Sequence, residues 1–211
     1  MEALWTKFLP HDSLPHVLNP KCGYLFQVNN TSYTMTAKEE NPVQLACQKN
    51  ISFARWQTNR SLRFYEMMKD HQGKLSWEDF LKIKYDAHYP QQVTAPFKNF
   101  DLEEAFHLDE KKYPDIADAI SIMKTWSANR SGSIADTNAT LVYKWIYGTY
   151  FAIGDKEEKE FIKDPAYKIQ YFADGVRRAK AAMLTDFGKL NVPLGDYQRH
   201  QRGDVDLPTD G

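Results

Sequence analysis

Cysteine is nearly missing from this chain: Cys22 and Cys47 are the only two in 211 residues. A lone pair neither builds a disulfide framework nor supplies the ligand set of a structural zinc site. Both stand beside predicted strands, where free thiols and a bridge are equally open, so cysteine usage leaves the compartment undecided. An excess of charge of one sign is missing too. Lys+Arg number 27 against 28 Asp+Glu, and the basic residues are scattered, so nothing marks a nucleic-acid partner. No apolar run approaches the roughly 18–20 residues of a membrane span. The opening "MEALWTKFLPHDS" lacks the basic start and apolar middle of a signal peptide. There is no Gly-rich phosphate loop, no G-x-S-x-G elbow, no metalloprotease histidine spacing and no internal repeat.

What is present describes a folded chain. At 42% apolar and 14% aromatic it can bury a sizeable core, as one domain or two. The first fifty-odd residues carry "LPH", "LNP" and "ENP" breakers around one good strand, "YLFQV", and a weaker one, "SYTMT". From Thr58 the pattern turns helical. "NRSLRFYEMMKD" places Leu62, Tyr65 and Met68 on one face and ends at Gly73, and Ser76 with Asp79 resembles a capping box for a helix that Pro90 stops. Pro114 suits a first helical position ahead of the stripe Ile116, Ile120, Met123. Asp136 is a cap for "TNATLVYKWIYGTYF", apolar nearly all round. Asp164-Pro165 opens the longest helix and Gly188 closes it, leaving a turn-rich tail with no helical stripe. The expected organisation is a strand-and-turn portion over 1–56, a helical portion over 57–189 and a tail over 190–211, an α+β chain that is mostly helical.

Local motifs are weak by themselves. "HLDE" (His107 to Glu110) and "DAHY" (Asp86 to Tyr89) each bring a carboxylate near a histidine without metal-site spacing. Arg202-Gly203-Asp204 reads as a polar turn before it reads as an adhesion tripeptide. Triplets such as Asn50-Ile-Ser52 and Asn129-Arg-Ser131 matter only on a glycosylating secretory route. Asn29 and Asn30, at the end of the first strand, read either as a turn or as amide donors at the rim of a reaction site.

Three blocks in order carry a resemblance. "LPHVLNPKCGYLFQVNN" resembles the segment of penicillin acylases and N-acyl-homoserine-lactone acylases that runs Asn-Pro-Lys-Ser/Thr-Gly-Tyr-Ile and ends in Asn-Asn. Asn19, Pro20, Lys21, Gly23, Tyr24, Asn29 and Asn30 match, and Cys22 stands where serine or threonine is usual. "RWQTNRSLRFYEMM" followed by "KLSWEDFLKIKYD" resembles that family's next element, an arginine ahead of a helix and then a second helix start. "LGDYQRHQRGDVDLP" resembles its downstream Gly-Asp-x-x-Arg segment.

The resemblance implies an N-terminal-nucleophile hydrolase of αββα fold, in which a serine exposed by self-cleavage attacks an amide carbonyl with its own α-amine as base. It implies that Asn29 is an oxyanion donor and that Arg60 holds Asn29's environment. A guanidinium can only donate, so Arg60 would take the asparagine oxygen and leave the NH2 for substrate. Glu39 and Glu40 lie near where penicillin acylases place a calcium-binding carboxylate, so a structural calcium stays open and no other cofactor is expected. The implied partners are an α subunit, the nucleophile-bearing part of the β subunit and a small N-acylated substrate, with a periplasmic or secreted location. The family's nucleophile lies upstream of the asparagine strand and its last strands lie beyond "DLPTDG", so this chain is expected to be an internal piece of the catalytic β subunit, inert alone. Two other classes compete: a non-catalytic helical binding or scaffold domain, and an unrelated hydrolase built on the His/Asp clusters.

Overall fold

A side-chain hydroxyl sets the first helix. Thr58 Oγ1 accepts the Ser61 N–H at 3.1 Å, and α1 runs Asn59–Met68. In this computed structural model residues 10–44, 56–71, 73–96, 98, 100–150 and 153–211 are described, so Cys47 and the Asn50 triplet lie outside the described residues. α2 spans Trp77–Lys84, with Ser76 Oγ accepting the Asp79 N–H at 3.0 Å. It stops six residues short of Pro90. The chain there is extended and bridges to a distant segment at His88–Ser131. The stretch up to residue 113 is mostly irregular, with a second bridge at Thr94–Asp101 and a 3₁₀ turn at Glu103–His107.

The core forms where the apolar stripes meet. α3 (Ala117–Asn129) follows a 3₁₀ turn begun by Pro114 and buries Ile120, Met123 and Trp126. α4 (Ala139–Tyr150) is capped by Asp136, whose Oδ1 accepts from Asn138 N and Ala139 N, and it buries Leu141, Val142, Trp145 and Ile146. Each fully buried side chain of this size contributes about 1.5–3 kcal/mol. α6 (Pro165–Phe187) lies along α4. Asp164 caps it through Ala166 N and Tyr167 N, and Gly188 ends it in the left-handed region at φ 67°. Gly175 lets the two helices approach: a Cβ there would stand 3.0 Å from both Thr149 Oγ1 and Trp145 Nε1. α5 (Asp155–Lys163), which the sequence pattern did not reveal, attaches through Phe161.

The strand expectation is corrected. Neither 24–28 nor 32–36 is a strand; a single backbone bond, Phe26 N to Met35 O at 2.9 Å, links them. Side chains take the groups a ladder would use: Asn41 Oδ1 accepts from Met35 N and Thr36 N, and Asn30 Oδ1 accepts from Val28 N. The sheet among the described residues is in the tail. After the short helix α7 (Leu194–Tyr197), β1 (Arg199–Arg202) pairs antiparallel with β2 (Val205–Pro208). Arg202 and Val205 pair, so the two-residue turn is Gly203-Asp204, with Gly203 at φ 58°. The Arg-Gly-Asp tripeptide is thus a hairpin turn. Beyond it Gly211 N donates to Gly132 O, which folds the tail back on the 130–134 segment.

Candidate active site

The N-terminus of α1 is where three segments meet. Thr58 Oγ1 donates to Val28 O at 3.4 Å. Asn59 clamps Thr94, accepting from its N at 2.9 Å and donating to its O at 3.0 Å. Arg60 Nη2 donates to Asn29 Oδ1 at 2.8 Å. The two residues that the family resemblance paired are therefore in contact, with the guanidinium on the asparagine oxygen. Both are solvent-exposed, and among the described residues the Asn29 NH2 makes no hydrogen bond.

Asn29 stands at φ 62°, a left-handed conformation that asparagine tolerates better than most residues. Its neighbour is committed elsewhere. Asn30 is 7% exposed, its Oδ1 accepts from Val28 N, its Nδ2 donates to Thr34 O and its N–H goes to Gln27 Oε1. It holds the loop, while Asn29 faces outward.

Asn29 and Arg60 line a cavity of about 560 Å³ together with Thr58, Asn59, His88, Tyr89, Tyr143 and Tyr147, and with Asp210 and Gly211 of the tail. The tyrosines form its aromatic wall, the Tyr143 and Tyr147 ring centres lying 4.4 Å apart. Burial, then a hydrogen bond with Tyr147, pushes the Tyr143 phenol up, and burial does the same to Tyr89, so both stay protonated at neutral pH. No sequence motif marked Tyr143 or Tyr147 as part of a site. The signal was there, since Tyr143 and Tyr147 are four apart on α4 and so share a face.

His88 is half-exposed on the same cavity, with Nδ1 2.9 Å from Asp86 Oδ1. Asp86 is gripped by Arg63, from Nε at 2.7 Å and Nη2 at 3.2 Å. Burial raises the Asp86 carboxyl, but the hydrogen bonds from Arg63 and His88 outweigh it and keep it ionised below its ordinary range. The "DAHY" pair is thus a real contact. "HLDE" is not: His107 is exposed, and Glu110 pairs with Lys124 instead.

The other acidic residues singled out lie apart from this cavity. Glu40 accepts the backbone N–H groups of Lys21 and Cys22. Glu39 lines a slightly larger cavity, about 600 Å³, further along α1 with Cys22, Tyr24, Tyr65 and Met68. That space holds neither Asn29 nor Arg60, so chemistry rather than size favours the smaller one. Among the described residues no group of three or more His, Cys, Asp or Glu gathers as a metal site, Cys22 is a free thiol, and no helix is long and apolar enough to cross a membrane. A family model, described as Penicillin amidase, matches residues 1–200.

Proposed function

The chain belongs to the penicillin amidase family, and we propose that within it Asn29 is an oxyanion donor for amide hydrolysis, oriented by Arg60. The observation that carries this reading is the 2.8 Å bond from Arg60 Nη2 to Asn29 Oδ1. It favours the amide flip that leaves the NH2 unpaired, which in this reading is the group offered to substrate. Attack on an amide carbonyl places negative charge on its oxygen, and a donor already aimed at that charge stabilises the transition state more than the bound substrate. The Arg60 charge at the far end of the amide polarises the donor further.

The attacking hydroxyl in this reading is that of an N-terminal serine elsewhere in the catalytic subunit of an αββα enzyme, completed by an α subunit. The substrate is an N-acylated small molecule of the penicillin or acyl-homoserine-lactone type, met in the periplasm or outside the cell. The 211 residues alone would lack turnover.

The test uses the mature, full-length enzyme. Asn29→Ala is expected to lower kcat by about 10²–10³ with a much smaller change in KM. Asn29→Asp should be at least as damaging, because a carboxylate repels the oxyanion. Arg60→Ala should fall between these and wild type. A near-normal Asn29→Ala enzyme would overturn the assignment, whereas a wild-type full-length protein without amide hydrolysis would favour a non-catalytic binding domain.

A further inference from the structure

We propose that His88 is a substrate-contacting residue of this site, its Nε2 accepting a hydrogen bond from the N–H of the scissile amide while Asn29 faces the carbonyl oxygen. The inference rests on the reading of Asn29 given above. Asp86 can only accept, so it fixes the proton on Nδ1 and leaves Nε2 with its lone pair.

The His88 backbone is as well held as its ring. Residue 88 bridges to Ser131, Tyr89 N donates to Arg130 O at 2.8 Å, and Gly132 N donates to Ala87 O at 2.6 Å. Behind Asp86 the network continues: Arg63 donates to Glu66 at 3.2 Å, and Glu66 Oε1 accepts the Gln91 N–H at 2.6 Å. A partly buried charged network of this kind adds little net stability. Its clear effect is to present one imidazole to the cavity in one tautomer.

The cavity is otherwise rich in donors. Arg60 and the Asn29 NH2 donate. The Asn29 and Asn59 oxygens are taken by Arg60 and Thr94, and Asp210 Oδ1 is taken by the Ile134 N–H. Hydroxyls aside, the side-chain acceptors left free among the described residues are His88 Nε2 and the second Asp210 oxygen. An amide substrate brings one acceptor, its carbonyl oxygen, and one donor, its N–H. Asn29 answers the first and His88 the second. Holding the N–H also fixes where the nitrogen lone pair points, which decides whether that nitrogen can be protonated as the C–N bond breaks. His88 itself transfers no proton in this proposal.

The discriminating experiment compares an amide with an ester of the same acyl group, since the ester has no N–H to hold. In the mature, full-length enzyme His88→Phe should lower kcat/KM for the amide about tenfold and leave the ester within about twofold, the scale of one neutral hydrogen bond. Asp86→Asn should reproduce this selective loss, because an amide partner no longer enforces the tautomer. His88→Gln keeps an acceptor oxygen and should recover part of the amide rate. It also carries the test if His88→Phe fails to fold. Equal loss on amide and ester would make His88 merely structural, and no loss on either would remove it from the site. A selective amide loss in Asp210→Asn with His88→Phe unaffected would move the acceptor to Asp210. Each of these three results overturns the proposal. Asn29→Ala should slow both substrates, so a silent Asn29 variant sinks the oxyanion reading by a result distinct from any of them.

Discussion

The buried ion pair between Arg130 and Glu103 offers the sharpest test of how the core supports the cavity. Arg130 closes α3 in the left-handed region at φ 55° and is 8% exposed. It grips Glu103 with two bonds, 2.9 Å and 2.7 Å, and Pro90 O with a third at 3.2 Å. Glu103 in turn accepts the Val93 N–H at 2.7 Å, so the pair anchors the 90–93 stretch that follows His88 and Tyr89. Glu103→Gln leaves a guanidinium in a dry place with no opposite charge, a change that typically costs about 3–5 kcal/mol when fully buried. Because the Glu103 side chain keeps 22% exposure, some water can reach the site, and about 3 kcal/mol is expected. In a unit of this size that lowers the melting temperature by roughly 6–12 °C. Arg130→Met should cost less, since the stranded carboxylate keeps its backbone donor and its exposure. The double variant should cost less than the two singles added together. Arg130→Gly should be more stable than Arg130→Ala by about 1 kcal/mol, because glycine carries no penalty at positive φ. Thermal melts, with amide exchange at Val93 as the local reading, decide the matter. A Glu103→Gln protein within about 0.5 kcal/mol of wild type, outside the range of a broken buried pair, would refute this account of the pair.

Two further outcomes follow from the same structure. Gly175→Ala should gain about 1 kcal/mol of helix propensity yet lose more to crowding against buried Trp145 and Thr149, for a net loss near 1 kcal/mol; a rise in melting temperature would show that α4 yields. Asp86 has a depressed folded-state pKa, so its contribution is present above the unfolded value near 4 and disappears as pH falls through the folded one. Asp86→Asn should therefore lie about 2–3 kcal/mol below wild type at pH 7, with the gap closing below about pH 4 in acid titrations of stability; a gap independent of pH would exclude the ionised carboxylate as its source.

What the sequence disclosed depends on how far each signal reaches along the chain. α6 was legible because its cap, its proline and its terminal glycine are local, and Asp164, Pro165 and Gly188 stand where such residues must. α5 was not, because "DKEEKEFIK" buries Phe161 while Ile162 remains 83% exposed, so no stripe exists to be seen. The tail was open to strands in the sequence, but its hairpin could not be placed: all eight of its strand residues are exposed, so no buried face marks their extent. The "YLFQV" segment is the instructive failure. Its alternation is present, with Cys22, Tyr24, Phe26 and Val28 turned inward and Phe26 stacked on Phe64 at 4.1 Å. Alternation reports which side faces a core, not where the backbone N–H groups go: here Asn30 takes that of Val28, and Asn41 takes those of Met35 and Thr36 in the facing segment.

The site divides along the same line. Nothing in a separation of 31 residues pairs Arg60 with Asn29; the family pattern proposed the pair, and donor chemistry then fixed which atoms should meet, the oxygen toward the guanidinium. His88 and Asp86, two residues apart, could be seen as neighbours at once, but proximity in sequence does not show which ring nitrogen meets the carboxylate. Arg63, 23 residues away, grips that carboxylate with two hydrogen bonds and favours its ionised form, and no local reading could have supplied it. A functional side chain is therefore legible in sequence to the extent that its orienting partner is local or belongs to a known pattern. Asn29 had the pattern. His88 had half of its partnership in view, and for that reason its contribution follows from the three-dimensional structure and not from the motif.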